Sequence, residues 1–371
     1  LTFLCLGTGA ARAEGIKAPS FGNDELKLRP SLFVQLQGKA TRTEEGVDTD
    51  AFIRRIRPRL FVSMLEGRVT SLVHLEMTPT SPELIDLFID GKITDFLSVR
   101  VGQFKTPFTQ YWQYSLIELA VDWPTTSKWF GGERQLGAQA SGKLPWGFGY
   151  AGGVFAGDNR RATFSRELAR LYGEKIDNPS LLTAFNNSAT GGLHPELMLR
   201  VFHQREGMVT KHPIDRDQGG FRHHVGLSMA WDTNAVKRRD FVMRFAPEAI
   251  LKWQGFSLHT VAYFAMFRDR RDRVLPGSAG GIVELGWRPH RLFELTARGA
   301  RTHVLPDLDQ DAKFSAAPSG LLAQTEVTGG VHVLLLGRSL VWQNDLGLVR
   351  DERRDGATST WTMRSQLQLA F

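Results

Sequence analysis

The sequence predicts an all-β chain: a sixteen-stranded antiparallel transmembrane β-barrel with one long connection folded back inside it. Three observations carry this. Apolar and polar residues alternate in a series of short stretches, the repeat of strands with one oily and one wet face. The connections alternate between tight turns and longer polar loops, the asymmetry of barrels that cross a membrane. Residues 105–133 lie between two alternating strands and hold Phe108, Tyr111, Trp112, Tyr114, Trp123, Trp129 and Phe130. Leaving so many aromatics in water costs hydrophobic free energy, so this segment must fold onto something. Inside a large barrel it would narrow the lumen.

The chain opens on Leu1 to Ala11, an apolar and small-residue run that leads into Ala11-Arg12-Ala13. This reads as the end of a secretory signal peptide, residues 1–13, with cleavage before Glu14. The start methionine and basic leader are missing, so the reading is that the sequence begins partway through the signal. The single cysteine, Cys5, lies in this piece. Thr2-Phe3-Leu4 before it does not suit a lipoprotein cleavage site. The mature chain would then lack cysteine, hence disulfides and thiolate metal sites. Residues 14–371 show no Pro/Ser-rich linker and no change of composition, and read as one barrel domain.

Alternation and turn residues place strands at 31–39, 52–65, 68–77, 84–93, 97–104, 134–144, 148–155, 196–203, 223–231, 240–252, 256–267, 281–287, 292–302, 323–336, 339–349 and 360–371. No convincing amphipathic helix interrupts them. The mean hydropathy is slightly negative, and no apolar run approaches the roughly 18 residues of a membrane helix. Membrane β-barrels score the same way, because every second strand residue faces water. Tight turns include Glu66-Gly67, Pro145-Trp146-Gly147, Gln254-Gly255 and Arg288-Pro289-His290. Longer loops are 40–51, 105–133, 156–195, 268–280, 303–322 and 350–359. An even strand count puts both termini at the short-turn, periplasmic end. Gln204 to Arg222 breaks the rule: it is too long for a turn, so it forms a small periplasmic feature or hides a hairpin.

The last strand alternates most cleanly. Trp361, Met363, Leu367, Leu369 and Phe371 share one face, and Thr362, Arg364, Gln366 and Gln368 the other. A terminal aromatic, Phe371, on such a strand resembles the signal read by the outer-membrane barrel insertion machinery.

Three motifs carry a family resemblance. RVGQFKTPF begins at Arg100, RQLGAQASG at Arg134, and YAGGVFAGDN runs from Tyr150 to Asn159. In order and spacing they resemble the phosphate-selective porin O/P family of Gram-negative outer membranes. The likeness covers about Phe52 to Asn159; beyond that only fragments such as MRFAPEA and the final strand look familiar. It implies a homotrimeric outer-membrane channel whose pore is lined by arginines and lysines. Arg54 and Arg55 resemble the family's paired arginines near the constriction, and Lys105 matches the lysine of its GQFK motif.

The residues themselves point the same way. In the second strand Ile56, Leu60, Val62 and Met64 alternate with Arg55, Arg57 and Arg59. An arginine facing lipid at mid-bilayer costs about 2–4 kcal/mol, so the arginine row should face the lumen. Guanidinium forks match phosphate oxygens, two N–H groups meeting two acceptors. The alternation places Arg54 outward, and Pro58 suggests a bulge that could shift the register. The same face test puts Arg100, Arg200, Arg244, Arg298 and Arg364 inside. It also puts Glu76, Asp86, Asp90, Glu248, Glu284, Glu294, Glu326 and Asp345 inside. The distributed arginines therefore read as partners in cross-lumen ion pairs that hydrate and brace the wall. The anion site is expected at Arg55, Arg57, Arg59, Arg100 and Lys105.

Composition narrows the rest. The formal charge of +7 falls to about +6 once Arg12 is removed, which favours anionic partners. The basic residues are spread through alternating strands with no compact motif, which argues against nucleic acid. Arg268-Asp269-Arg270-Arg271-Asp272-Arg273 reads as a solvated loop tip or a contact to lipopolysaccharide phosphates. His223-His224 are adjacent in a strand and point to opposite faces, which argues against a metal pair. There is no G-x-S-x-G elbow, H-E-x-x-H or P-loop, so the reading is not an enzyme and needs no cofactor. The function expected is passive diffusion of small anions, phosphate or a related oxyanion, across the outer membrane. The alternative is a non-conducting barrel serving as scaffold or surface receptor through its long loops. A secreted soluble β-protein is a third reading.

Overall fold

The structure is a computed structural model, and it describes residues 19–371 apart from 24, 78–81, 115–122, 132–133, 157–194, 209, 211, 234–240, 269–270, 272 and 310–320. Residues 1–13, which the sequence reads as the end of a signal peptide, lie outside the described residues.

A two-residue strand, β1 (Phe21–Gly22), pairs with β2 (Leu26–Arg42). The wall continues through β3 (Val47–Met64), β4 (Val69–Met77), β5 (Pro82–Thr94), β6 (Leu97–Lys105), β7 (Arg134–Lys143), β8 (Phe148–Phe155) and β9 (Glu196–Gln204). It is completed by β10 (Arg222–Asp232), β11 (Phe241–Trp253), β12 (Phe256–Arg268), β13 (Val274–His290), β14 (Phe293–Val304), β15 (Leu321–Leu336), β16 (Leu340–Arg353) and β17 (Gly356–Ala370). Each strand pairs antiparallel with the next, and β17 returns to β2 with Met363 opposite Ala40 and Leu369 opposite Val34. Strands β2 to β17 thus close a sixteen-stranded antiparallel barrel. Closure leaves no open edge, so every ladder group finds a partner where water is absent. The C-terminal residue takes part: Phe371 N–H donates to Leu32 O, and Leu32 N–H to Phe371 O.

The two faces sort as the alternation requires. Leu60, Ile89, Val101, Leu199, Leu227, Val283, Val327, Leu346 and Met363 are exposed on the outside. Gln35, Arg57, His74, Asp86, Arg200, Arg244, Glu248 and Glu284 are buried on the inside. Near the short-turn end Trp146, Phe148, Trp253, Phe256 and Trp287 are exposed, and the rings of Phe256 and Trp287 stack at 5.3 Å. Amphipathic rings at one level of the wall are the girdle of a membrane interface. No helix among the described residues is long and apolar enough to cross a membrane.

All sixteen expected strands are present. Several run further than alternation showed. β2, β3, β13, β16 and β17 extend through much of 40–51, 268–280 and 350–359, which the sequence reads as long loops. Beyond the oily belt both faces of a strand meet water. The apolar half of the pattern then disappears while the ladder continues.

Two segments fold inward from opposite ends. One is the connection after β6. The other is 205–221, which joins β9 to β10 at the short-turn end. It is neither an external feature nor a missed hairpin. Ile214 and Asp215 are fully buried, and the segment lies against the inner rim of β11, β13 and β14.

Candidate functional site

The connection after β6 starts where the GQFK motif ends. Gly102 has φ of +131°, and a Cβ there would lie 2.2 Å from Leu87 O, so the close approach of β6 to β5 requires glycine. Past Lys105 the chain turns into the lumen. Thr109 accepts a hydrogen bond from Trp112 N–H and starts the helical turn α1 (Gln110–Gln113); a second short helix, α2 (Thr125–Phe130), follows.

This segment is pinned to the far wall by polar contacts. Gln110 N–H donates to Glu248 on β11 at 2.7 Å, and the Tyr111 hydroxyl to Glu284 on β13 at 2.6 Å. Thr125 N–H donates to Glu326 on β15 at 3.0 Å, and Trp129 Nε1–H to Ser278 on β13 at 2.9 Å. Burial, reinforced by the Glu284 carboxylate, holds the Tyr111 hydroxyl well above its usual pKa, so it stays a donor. Apolar packing completes the attachment. Phe130 stacks on Tyr263 at 4.9 Å, and Phe108, Tyr111, Tyr114 and Trp129 are buried. Gly280 on β13 makes room: a Cβ there would lie 2.6 Å from the Phe130 ring. The aromatics thus serve as the inward plug expected of 105–133, filling the β11–β15 side of the lumen.

A cavity opens on the β3–β7 side. About 200 Å³ in volume, it is bounded there by Arg57, Arg59, Arg100, Lys105 and Arg134, with Trp112 and Trp123 across from the wall. Asp86 is the one carboxylate in its lining among the described residues. The neighbouring wall of β2, β16 and β17 presents Gln35, Gln343, Gln366 and Gln368, hydrogen-bonded to one another, which are polar but carry no charge.

The structure places all five expected site residues at this opening or directly behind it. Arg57 faces inward with a bidentate bond to Glu76, at 3.0 and 2.8 Å. Arg55 shares the same carboxylate at 3.1 Å. Arg59 donates its Nε–H to His74 Nε2 at 3.1 Å, and no carboxylate among the described residues pairs with it. Arg100 is paired with Asp90 at 2.7 Å and lies over the Phe88 ring. Lys105 donates to the carbonyls of Trp112 and Tyr114 and lies near the Trp112 and Trp123 rings.

Three expectations change. The arginine row is not a staircase of equal, unengaged forks, because Glu76 on the adjacent strand takes up two of them. The bulge lies at Arg54, not Pro58: Gln35 pairs with Arg55 and Leu36 with Ile53, while Pro58 stays in register opposite Leu32. The extra residue turns Arg54 inward, where it donates to Gln366 at 3.0 Å. The outward placement of Arg54 by strict alternation is therefore corrected.

The other lumen arginines are ion-paired, but between nearby strands along the wall and not across the lumen. Arg200 meets Glu248, Arg244 meets Glu196, Arg298 meets Glu326 and Arg364 meets Asp345. His223 and His224 point to opposite faces: His223 stacks on His203, and His224 lies inside beside Glu248.

Sequence reading missed Arg134 and His74. Arg134 shares its alternation phase with Leu136 and Ala138, which assigns it outward. As the first residue of β7 it instead swings in to Asp86 at 2.7 Å. His74 carries a legible signal, since it shares its face with Glu76. Its Nδ1–H donates to Asp86 at 2.7 Å, which leaves Nε2 to accept from Arg59.

The segment 205–221 bounds the lumen from the other end. Arg216 forms a bidentate pair with Glu294, Asp215 pairs with Arg222 and accepts from Gly255 N–H, and Lys252 donates to His212 O at 2.7 Å. The two inward segments touch: Gln110 Nε2 donates to Thr210 O at 2.9 Å. His212 is wedged with its ring nitrogens facing Arg338 at 3.3 Å and Arg216 at 3.4 Å. Burial first, then the charges of Arg216 and Lys252, push its pKa down to about 3; Glu294 and Asp217 oppose this and are outweighed. A released histidine titrates near 6.5, so release takes up a proton. Docking is therefore firmest above about pH 6.5 and weakens as pH falls from there toward 3. Amide hydrogen exchange across 205–221 should accelerate between neutral pH and about pH 4 more than the intrinsic rate predicts. A pH-independent protection factor would remove His212 from the docking energetics.

Neither protein-family models nor curated protein sequences give a match to the chain. Solved structures do, over almost the whole length. The outer membrane channel DcaP of Acinetobacter baumannii superposes with a TM-score of 0.60 at 10% identity, covering 93% of this chain and 97% of that one. An anion-selective porin from Comamonas acidovorans gives 0.60 at 11% identity, with 94% and 100% covered. The trimer form of in-vitro folded OmpT, an outer membrane protein of Vibrio cholerae, gives 0.53 at 10% identity, with 94% and 100% covered. At these identities the likeness is one of fold. The chain has the closed-barrel fold of Gram-negative outer-membrane porins.

Proposed function

We propose that the chain is an outer-membrane porin for passive diffusion of small anions, phosphate or a related oxyanion, past a basic constriction formed by Arg55, Arg57, Arg59, Arg100 and Lys105. The supporting observation is the charge balance of this opening. Among the described residues five cations and one carboxylate line it, and Arg59 and Lys105 pair with no carboxylate, while Arg200 and Arg298 on the plugged side are closed ion pairs. In a narrow, low-dielectric passage an excess of fixed positive charge raises the local anion concentration and repels cations. The motif resemblance supports phosphate as the anion, and the Comamonas structure carries anion selectivity in its description.

The same reading includes a homotrimer, the state named for the OmpT structure. It also includes contact of the loop at 268–273 with lipopolysaccharide phosphates and recognition of Phe371 by the insertion machinery. Purified protein in planar bilayers under a potassium chloride gradient should give a reversal potential of the sign set by chloride, and phosphate should reduce the chloride current. Absence of single-channel steps would favour the non-conducting scaffold instead. Steps with a cation-type reversal potential would refute the anion reading.

A further inference from the structure

The opening is not merely basic. Its two sides differ in chemistry: guanidinium and ammonium groups on the wall, indole rings on the inward segment. Arg59 is held by one bond at Nε, which leaves its terminal nitrogens without a protein acceptor among the described residues. Lys105 spends two N–H groups on the Trp112 and Tyr114 carbonyls and has a third to offer. Opposite, Trp112 and Trp123 form a tilted pair with centroids 4.8 Å apart and 42° between planes. Both rings line the cavity.

Inorganic phosphate would use the cations but gain nothing from two indole faces. A hydrocarbon would use the indoles and leave the cations bare. One class satisfies both. We propose that the cavity is a recognition site for single-ring aromatic carboxylates, with the carboxylate on Arg59 and Lys105 and the ring against Trp112 and Trp123. This rests on the anion-porin reading and specifies its substrate class. The carboxylate matches the planar Arg59 fork. An aromatic ring meets the indoles in offset or edge-to-face contact, which a saturated ring of the same size cannot reproduce.

The test is block of chloride current through the intact channel by three probes: benzoate, cyclohexanecarboxylate and inorganic phosphate. Benzoate should reach half-block at a concentration about tenfold below either of the others. Trp112→Leu should erase the gap between benzoate and cyclohexanecarboxylate. Trp112→Phe, which keeps a smaller ring, should narrow it and serves where the leucine variant does not fold. Equal potency of benzoate and cyclohexanecarboxylate on the wild-type channel would overturn the proposal, as would phosphate as the strongest blocker. In either case a chloride-type reversal potential would leave the anion-porin reading standing. A cation-type reversal potential would remove both.

Discussion

Replacing Arg55, Arg57 and Arg59 together by glutamine should turn an anion-preferring channel toward cations, because the change does more than delete three charges. Glu76 is covered by Arg55 and Arg57, and without them its carboxylate faces the opening. The fixed charge of that sector then changes by three units and leaves an uncovered anion. At an effective dielectric of about 20, a unit charge about 4 Å from a passing ion is worth about 4 kcal/mol. Since about 1.4 kcal/mol is tenfold, the anion-to-cation permeability ratio should fall by about tenfold or more even after screening. Leaving one buried partner unpaired costs about 3–5 kcal/mol of stability. The variant that also carries Glu76→Gln is therefore the companion: it should lose the anion preference without inverting it. Reversal potentials under a salt gradient measure both. A wild-type value in the triple variant would show that the row is structural and takes no part in selectivity.

Cutting out the segment 207–218 and bridging the gap with a short glycine–serine linker should raise single-channel conductance several-fold. The segment holds Ile214 and Asp215 fully buried inside the short-turn rim and touches the other inward segment at Gln110. Two obstructions in series on the same side of the lumen leave one eccentric path. Removing one shortens the narrow stretch, and resistance falls with the length of the narrowest section. Gln110→Ala, which cuts the bond to Thr210 and a bond from Arg200, should shift conductance far less. It leaves Arg216–Glu294 and Asp215–Arg222 in place. A deletion variant that folds and conducts like wild type would mean that 205–221 lies beside the permeation path.

How much was legible can be argued residue by residue. Ile56, Leu60 and Arg57 declare their faces because lipid and water set opposite demands on neighbouring positions, and that contrast is written locally. Phe371 and the aromatics after Lys105 are legible for the same reason. Arg54 and Arg134 were not, since a bulge and a strand start each break the period that assigns a face. The inward fold of 205–221 left only its length as a sign. Its anchors, Lys252 on β11, Glu294 on β14 and Arg338 in the β15–β16 turn, are distant in sequence.

The alternating pattern therefore settles that this chain is a barrel, which side of each strand is wet, and that the second strand brings cations to the lumen, because these follow from solvent contrast along one strand. Which cation keeps open hydrogen-bonding groups is a matter of register between strands. Glu76 reaches Arg55 and Arg57, but His74, two residues earlier on the same face, meets Arg59. Ion pairing acts over a few ångströms between chain-distant groups, so it is fixed only when the ring of strands has closed.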